Sequence, residues 1–199
     1  HEHARVFMWN RSAHQVTGQT IWDAARARQP GFRVANLFWR FVADSSCDLQ
    51  VTERPVYWVS GRKTFDYFTV PTALHDRLQG ELGRFPFPQF WGPFAGLKST
   101  QWILNATAQV MAQDDPDLLM AYAPYLDYEA QRHGPDADPA KDALAHMDSA
   151  LTSLLARARA SPGWRRRSMS WLPSHTSLPW RTSRPVRAHG THSAGSAKT

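Results

Sequence analysis

The chain has 199 residues, with nine Trp, 14 Pro, a single cysteine and a net charge of +6. This length suits one domain with a sizeable core, no run of 18 apolar residues is present to span a membrane, and Cys47 alone excludes an internal disulfide. The charge is local: residues 161–199 hold six Arg, one Lys and no acid, which is +7 and leaves −1 for residues 1–160. Any inference from basicity to nucleic acid therefore concerns that last segment alone. The chain opens on His1 without Met, so any leader is expected upstream.

Residues 1–18 are mixed, with Val6, Phe7 and Trp9 as apolar points. Thr20 then precedes Ile21-Trp22-Asp23-Ala24-Ala25-Arg26-Ala27-Arg28, a helix with a capping residue at its head. Gln29-Pro30-Gly31 stops it. Phe32 to Trp39 is rich in strand formers. Val51–Val59 reads as extended, and Ser60-Gly61-Arg62-Lys63 turns it. Leu74, Leu78 and Leu82 form a stripe that predicts a helix over 71–82, with Pro71 in its first turn. Phe85-Pro86-Phe87-Pro88-Gln89-Phe90-Trp91-Gly92-Pro93 reads as a rigid aromatic–proline loop. Ser99 is expected to cap a helix whose inner face carries Trp102, Ile103, Ala106, Val110 and Met111. Asp114-Asp115-Pro116-Asp117 breaks that helix. Leu118–Tyr122 follows as a short buried strand running into a loop. A last helix spans about 139–160, with Leu144, Met147, Leu151, Leu154 and Leu155 in register.

Strands separated by helices argue an α/β fold with a parallel sheet covered on both faces. The 78 residues between Trp39 and Leu118 exceed one crossover, so an insertion is expected there. After Ala160 neither the period of a helix nor that of a strand persists. Arg165-Arg166-Arg167 with Trp164, Trp171 and Trp180 reads either as an out-of-frame continuation or as a basic tail able to hold phosphates and stack bases. The chain thus divides into a domain over 1–160 and a tail over 161–199.

Asp127 lies just past the strand at 118–122. In open α/β sheets ligands bind beyond the carboxyl ends of strands, and a carboxylate there is a hard ligand for a divalent metal. A helix cap or a loop-solvating Asp is the plainer reading of the same residue. Gln131 shares a face with Asp127 if the segment between them is helical, and His133 could ligate instead from a loop. Tyr122 reads plainly as a core residue at the strand's end. No phosphate-binding loop is present: Gly61-Arg62-Lys63-Thr64 is too short.

The order Gly18-Gln19-Thr20-Ile21-Trp22-Asp23-Ala24-Ala25, then Gly31-Phe32-Arg33-Val34-Ala35-Asn36-Leu37-Phe38-Trp39, then Asp117-Leu118-Leu119-Met120-Ala121-Tyr122, Asp127 and Gly134-Pro135, resembles the type I phosphodiesterase/nucleotide pyrophosphatase family of the alkaline phosphatase superfamily. The resemblance covers roughly residues 5–160. It implies a three-layer α/β/α alkaline-phosphatase-like domain, here partial, with a central mixed sheet. It implies two divalent metal ions, usually zinc, a small-molecule phosphate ester as substrate, and a Thr or Ser nucleophile expected upstream of His1. Asp127 matches a metal ligand of the family, and Tyr122 an aromatic position near the leaving group. The family usually has His four residues after the Asp. Here Gln131 stands there, a poorer zinc ligand than imidazole. On this reading the chain alone is inactive; the alternatives are a relative that only binds a phosphate ester or a partner, or nucleic-acid binding through the tail.

Overall fold

The computed structural model of the chain describes residues 4–6 and 12–163. Helix α1 (Ile21–Arg28) starts where Thr20 predicts. The Thr20 hydroxyl accepts from the Asp23 amide, and the Asp23 carboxylate accepts from the Thr20 amide, a reciprocal capping box. Arg26 then anchors the helix to the chain ahead, donating to Ser46 O and to Asp48 Oδ2, both at 2.6 Å.

Five strands form one sheet among the described residues: β1 (Ala4–Val6), β2 (Val34–Leu37), β3 (Leu49–Trp58), β4 (Lys63–Val70) and β5 (Leu118–Ala121). β2 runs parallel to β3 and to β5, with Leu37 level with Val51 on one side and Ala121 on the other. β3 pairs antiparallel with β4 along one edge, and its far half takes β1 antiparallel on the other. The sheet is therefore mixed, as the family resemblance implies, which corrects the parallel sheet expected from the alternation of elements. β4 was not anticipated: the turn at 60–63, with Gly61 at φ 81°, closes a hairpin whose return strand starts exposed and then buries Tyr67 and Thr69 on one face. β2 is shorter than the expected Phe32–Trp39. The Arg33 amide donates to Asp117 Oδ2 at 2.8 Å instead of to a strand, and Phe38 turns left-handed at φ 60°.

The long stretch between β2 and β5 is not one insertion. It contributes β3 to the sheet and then β4, helix α2 (Ala73–Leu82) and helix α3 (Leu97–Gln113). Leu74 and Leu78 of α2 are buried and Leu82 partly so, as their spacing predicts. Pro71 lies before the helix, and Thr72 is the residue at its cap. α2 is tied to β4 by the Tyr67 hydroxyl, which donates to His75 O at 3.0 Å, and by the His75 ring, whose Nε2 meets Asp66 Oδ1 at 3.0 Å. On α3 all five predicted inner residues are buried. Its cap is Gly96 rather than Ser99. Ser99 is fully buried inside the first turn, so its hydroxyl donates backwards, to Gln89 O at 2.8 Å and Gly96 O at 3.1 Å.

Leu118–Ala121 is half-buried rather than buried, because β5 is an edge of the described sheet. The expected loop beyond it is helix α4 (Tyr125–His133), which Pro124 opens and Gly134, at φ 90°, ends. Helix α5 (Asp138–Ala160) matches its predicted span, but not its predicted face. Met147 is buried together with Ala140, Ala143 and Ala158, whereas Leu144, Leu151 and Leu155 are exposed. Small side chains let α5 approach its neighbours α3 and α4 closely, and that turns the leucines outward. Among the described residues no helix is long and apolar enough to cross a membrane.

The core is aromatic. Phe38, at the end of β2, packs on Phe85 at 4.8 Å and Phe90 at 5.5 Å between ring centroids. Trp102 of α3 meets Phe85 and Tyr67, each at 5.1 Å. The aromatic–proline segment is thus a folded part of the core, with a single 3-10 turn at Phe87–Gln89. Residues 164–199, and with them the basic segment from Trp164 on, lie outside the described residues.

Candidate functional site

A cleft of about 320 Å³ opens beyond the carboxyl ends of β2 and β5, where ligands of open α/β sheets bind. Four segments wall it. The turn after β2 gives Phe38 and Arg40, β3 gives Glu53, the aromatic segment gives Phe87, Phe90 and Trp91, and the chain after β5 gives Tyr122, Pro124, Asp127, Tyr128 and Gln131.

The backbone explains why they converge. Tyr122 follows β5 directly, and its amide still donates to Leu37 O at 3.0 Å, so its ring is held level with the end of β2. Phe38, Phe41 and Asp44 are all left-handed, at φ 60°, 54° and 59°. Non-glycine residues in that region cost on the order of 1–3 kcal/mol each and persist where the surroundings over-determine them. The turn is fixed in part by Asn36, whose Oδ1 accepts from the Trp39 amide at 3.1 Å. It sets Trp39 edge-on to Tyr122, at 6.4 Å, and places the Arg40 guanidinium 5.8 Å from the centre of the Tyr122 ring. Burial pushes the Tyr122 hydroxyl above its ordinary pKa. Arg40 opposes this, and the charges of Asp127 and Glu53 add to it.

α4 contributes Asp127, Tyr128 and Gln131 to the wall. Asp127 sits in its first turn and faces solvent. Gln131, one turn on, donates from Nε2 to Asp127 Oδ2 at 2.7 Å, so the two share the face that their spacing predicts. His133 falls on another side of the helix. Its Nε2 lies 3.6 Å from Glu129 Oε2. Arg132 pairs with Glu129 at 2.6 Å and also donates to Ala95 O, while the Tyr128 hydroxyl donates to Phe90 O. These contacts lock α4 against the aromatic segment.

Two cleft residues escape a reading of the sequence by motif. Arg40 follows a Phe-Trp pair and looks like an ordinary surface cation. Glu53 is only 3% exposed. Side chains alternate along a strand, so Glu53 continues the row of Leu49 and Val51, both core residues, and it pairs across the ladder with buried Tyr67. A carboxylate in the apolar row of a strand is the signal that could have found it. Among the described residues no group of three or more His, Cys, Asp or Glu is placed to hold a metal ion. Nor does any Ser, Thr or Cys line the cleft.

A mixed sheet flanked by helices, with a cleft at the carboxyl ends of its parallel strands, defines an α/β domain, consistent with part of an alkaline-phosphatase-like α/β/α domain. The chain belongs to the Type I phosphodiesterase / nucleotide pyrophosphatase family, whose sequence model matches residues 2–168. The match runs past Ala160, the boundary expected from the change in pattern. Neither a curated protein nor a solved structure matches the chain.

Proposed function

We propose that this chain carries the leaving-group side of a metal-dependent hydrolase acting on phosphodiester or pyrophosphate bonds of small, nucleotide-like esters. One observation carries the reading: the hydrogen-bonded Asp127–Gln131 pair and Tyr122 line one cleft at the carboxyl ends of β2 and β5. Tyr122 offers a face on which a base or aryl ring stacks. Asp127 supplies a carboxylate ligand, and turning the Gln131 amide over brings a second oxygen beside it. His133, engaged with Glu129 on another side of α4, takes no part. The family resemblance implies two zinc ions; an oxygen pair suits a harder cation at this position. A bound divalent ion polarises a phosphoryl oxygen and offsets developing charge. What the residues here do is hold the ring, set the Asp127 carboxyl beside it, and place Arg40 as the one cation at the cleft's described rim.

On this reading the nucleophile and the remaining metal ligands come from outside the described residues, and these residues alone do not turn over substrate. The domain then extends over 1–160, with the basic segment after it playing no part in hydrolysis. The test is calorimetric titration of the chain with Mn²⁺ and with Zn²⁺, beside Asp127→Ala. Binding in the parent that is lost in the variant supports the reading. Equal binding by both proteins, or hydrolysis of bis(p-nitrophenyl) phosphate that survives Asp127→Ala, overturns it.

A further inference from the structure

A second hollow, of about 450 Å³, adjoins the cleft and shares Arg40 with it. The hydrolytic reading makes no use of it. The head of α1 and the turn after β2 form its walls, each with a tryptophan, Trp22 on the first and Trp39 on the second. The first wall is fixed by its own hydrogen bonds. The Trp22 indole N–H donates to Ser46 Oγ at 3.0 Å, and that hydroxyl donates to Asp23 Oδ1 at 3.0 Å. Asp23 Oδ2 takes the Thr20 amide, so Asp23 is spent on the helix cap and on the Trp22–Ser46 link.

The second wall is built differently. Trp39 and Phe41 are 47 and 37% exposed, although both are large and apolar. Phe41 and Asp44 are left-handed, and such residues collect where a chain clamps a ligand. The Asp44 carboxylate is exposed on this wall and forms no hydrogen bond or ion pair among the described residues.

We propose that this hollow binds the pyranose ring of a glycoside, its C–H face on the Trp39 indole and two neighbouring hydroxyls on Asp44. The proposal does not depend on the hydrolytic reading of the cleft. The lining decides the class of ligand. A carboxylate at Asp44, a guanidinium at Arg40 and an imidazole at His14 surround one space, so neither an anion nor a cation is favoured over a neutral molecule. A hydroxyl both donates and accepts, and a sugar carries a row of them. Its axial C–H bonds give it an apolar face to set on a large aromatic ring. A pair of hydroxyls donating to one carboxylate makes short, charge-assisted bonds. An ammonium ion would gain from the rings, but here it would meet the Arg40 charge as well. About 450 Å³ falls within the range of ligand pockets, roughly 300–1,000 Å³.

The test is saturation-transfer NMR on the 199-residue chain in EDTA. The probes are methyl β-D-glucopyranoside, methyl β-D-galactopyranoside and tetramethylammonium chloride. At least one glycoside should bind in the millimolar range, with transfer strongest at its axial ring protons and weakest at its methyl group. Asp44→Asn removes the charge and keeps a residue that adopts the left-handed backbone readily; it should weaken binding about tenfold. Trp39→Ala should abolish the transfer. Trp58→Ala, on the β3–β4 hairpin, should bind as the parent does. The proposal is overturned if neither glycoside binds, or if transfer centres on the methyl group. Binding unchanged in Asp44→Asn or in Trp39→Ala overturns it too. Tetramethylammonium that displaces the glycosides at lower concentration would make the hollow a cation cage instead. If circular dichroism shows Trp39→Ala unfolded, Asp44→Asn decides.

Discussion

α3 and α5 carry comparable apolar stripes, and the protein treats them in opposite ways. On α3 the stripe of Trp102, Ile103, Ala106 and Val110 lies in the core under the sheet. On α5 the leucines at 144, 151 and 155 stand 58, 40 and 48% exposed, while alanines face inward. A helical period reports that a face exists. What meets that face depends on the neighbours, and small residues that permit close approach can outweigh larger ones that do not fit.

The comparison can be broken or sharpened by substitution. Ile103→Ala should cost about 2–5 kcal/mol, because it empties a fully buried site; a urea midpoint close to the parent's would show that the α3 face is not what holds the fold. Next comes a polar contact. Thr20→Ala removes the capping box of α1, at a cost of about 1 kcal/mol, and the same urea titration reads it.

A smaller effect, dependent on pH, lies between α2 and β4. The His75 ring bridges Asp66 on Nε2 and Asp76 on Nδ1. Burial pulls its pKa down, but hydrogen bonds to the two carboxylates outweigh it, so the folded value stands above the ordinary one. The sign follows: this contribution is fully present below about pH 6.5 and is lost as pH rises through the folded value. Asp76 is largely solvent-exposed, which keeps the gain below about 1 kcal/mol. The stability difference between the parent and His75→Gln should therefore shrink from pH 5 to pH 9; a difference constant across that range would remove the charge from the explanation. Last, Leu151→Ala should change stability by less than about 0.5 kcal/mol. A loss as large as that of Ile103→Ala would mean that something covers α5 in solution.

Much of the fold was legible. Thr20 with Asp23 marks a helix start wherever it occurs, and the leucines at 74 and 78 found their core. The helical spacing that joins Asp127 to Gln131 held as well. What could not be read was set by contacts distant in sequence. The length of β2 is decided by Asp117, 84 residues from Arg33. Ser99 looks like a cap until Gln89 is brought beside it. The loop expected at Asp127 became a helix because Tyr128 and Arg132 find backbone carbonyls at Phe90 and Ala95. Glu53 was missed for a related reason: its meaning comes from the row that it interrupts, and that row shows only once the strand's two faces are known.

The outer edge of β5 presents backbone groups with no ladder partner among the described strands, on the apolar sequence Leu118-Leu119-Met120-Ala121. Such an edge is a template for pairing between molecules. Directly before it stands Asp114-Asp115-Pro116-Asp117, which ends α3 and anchors Arg33. The same run is a gatekeeper: negative charge and a proline beside a sticky strand discourage a second chain from adding to it. Salt screens charge over a few ångström to nanometre distances, so the protein's tendency to self-associate should grow with ionic strength, and the segment that shapes the strand also sets the conditions under which it stays single.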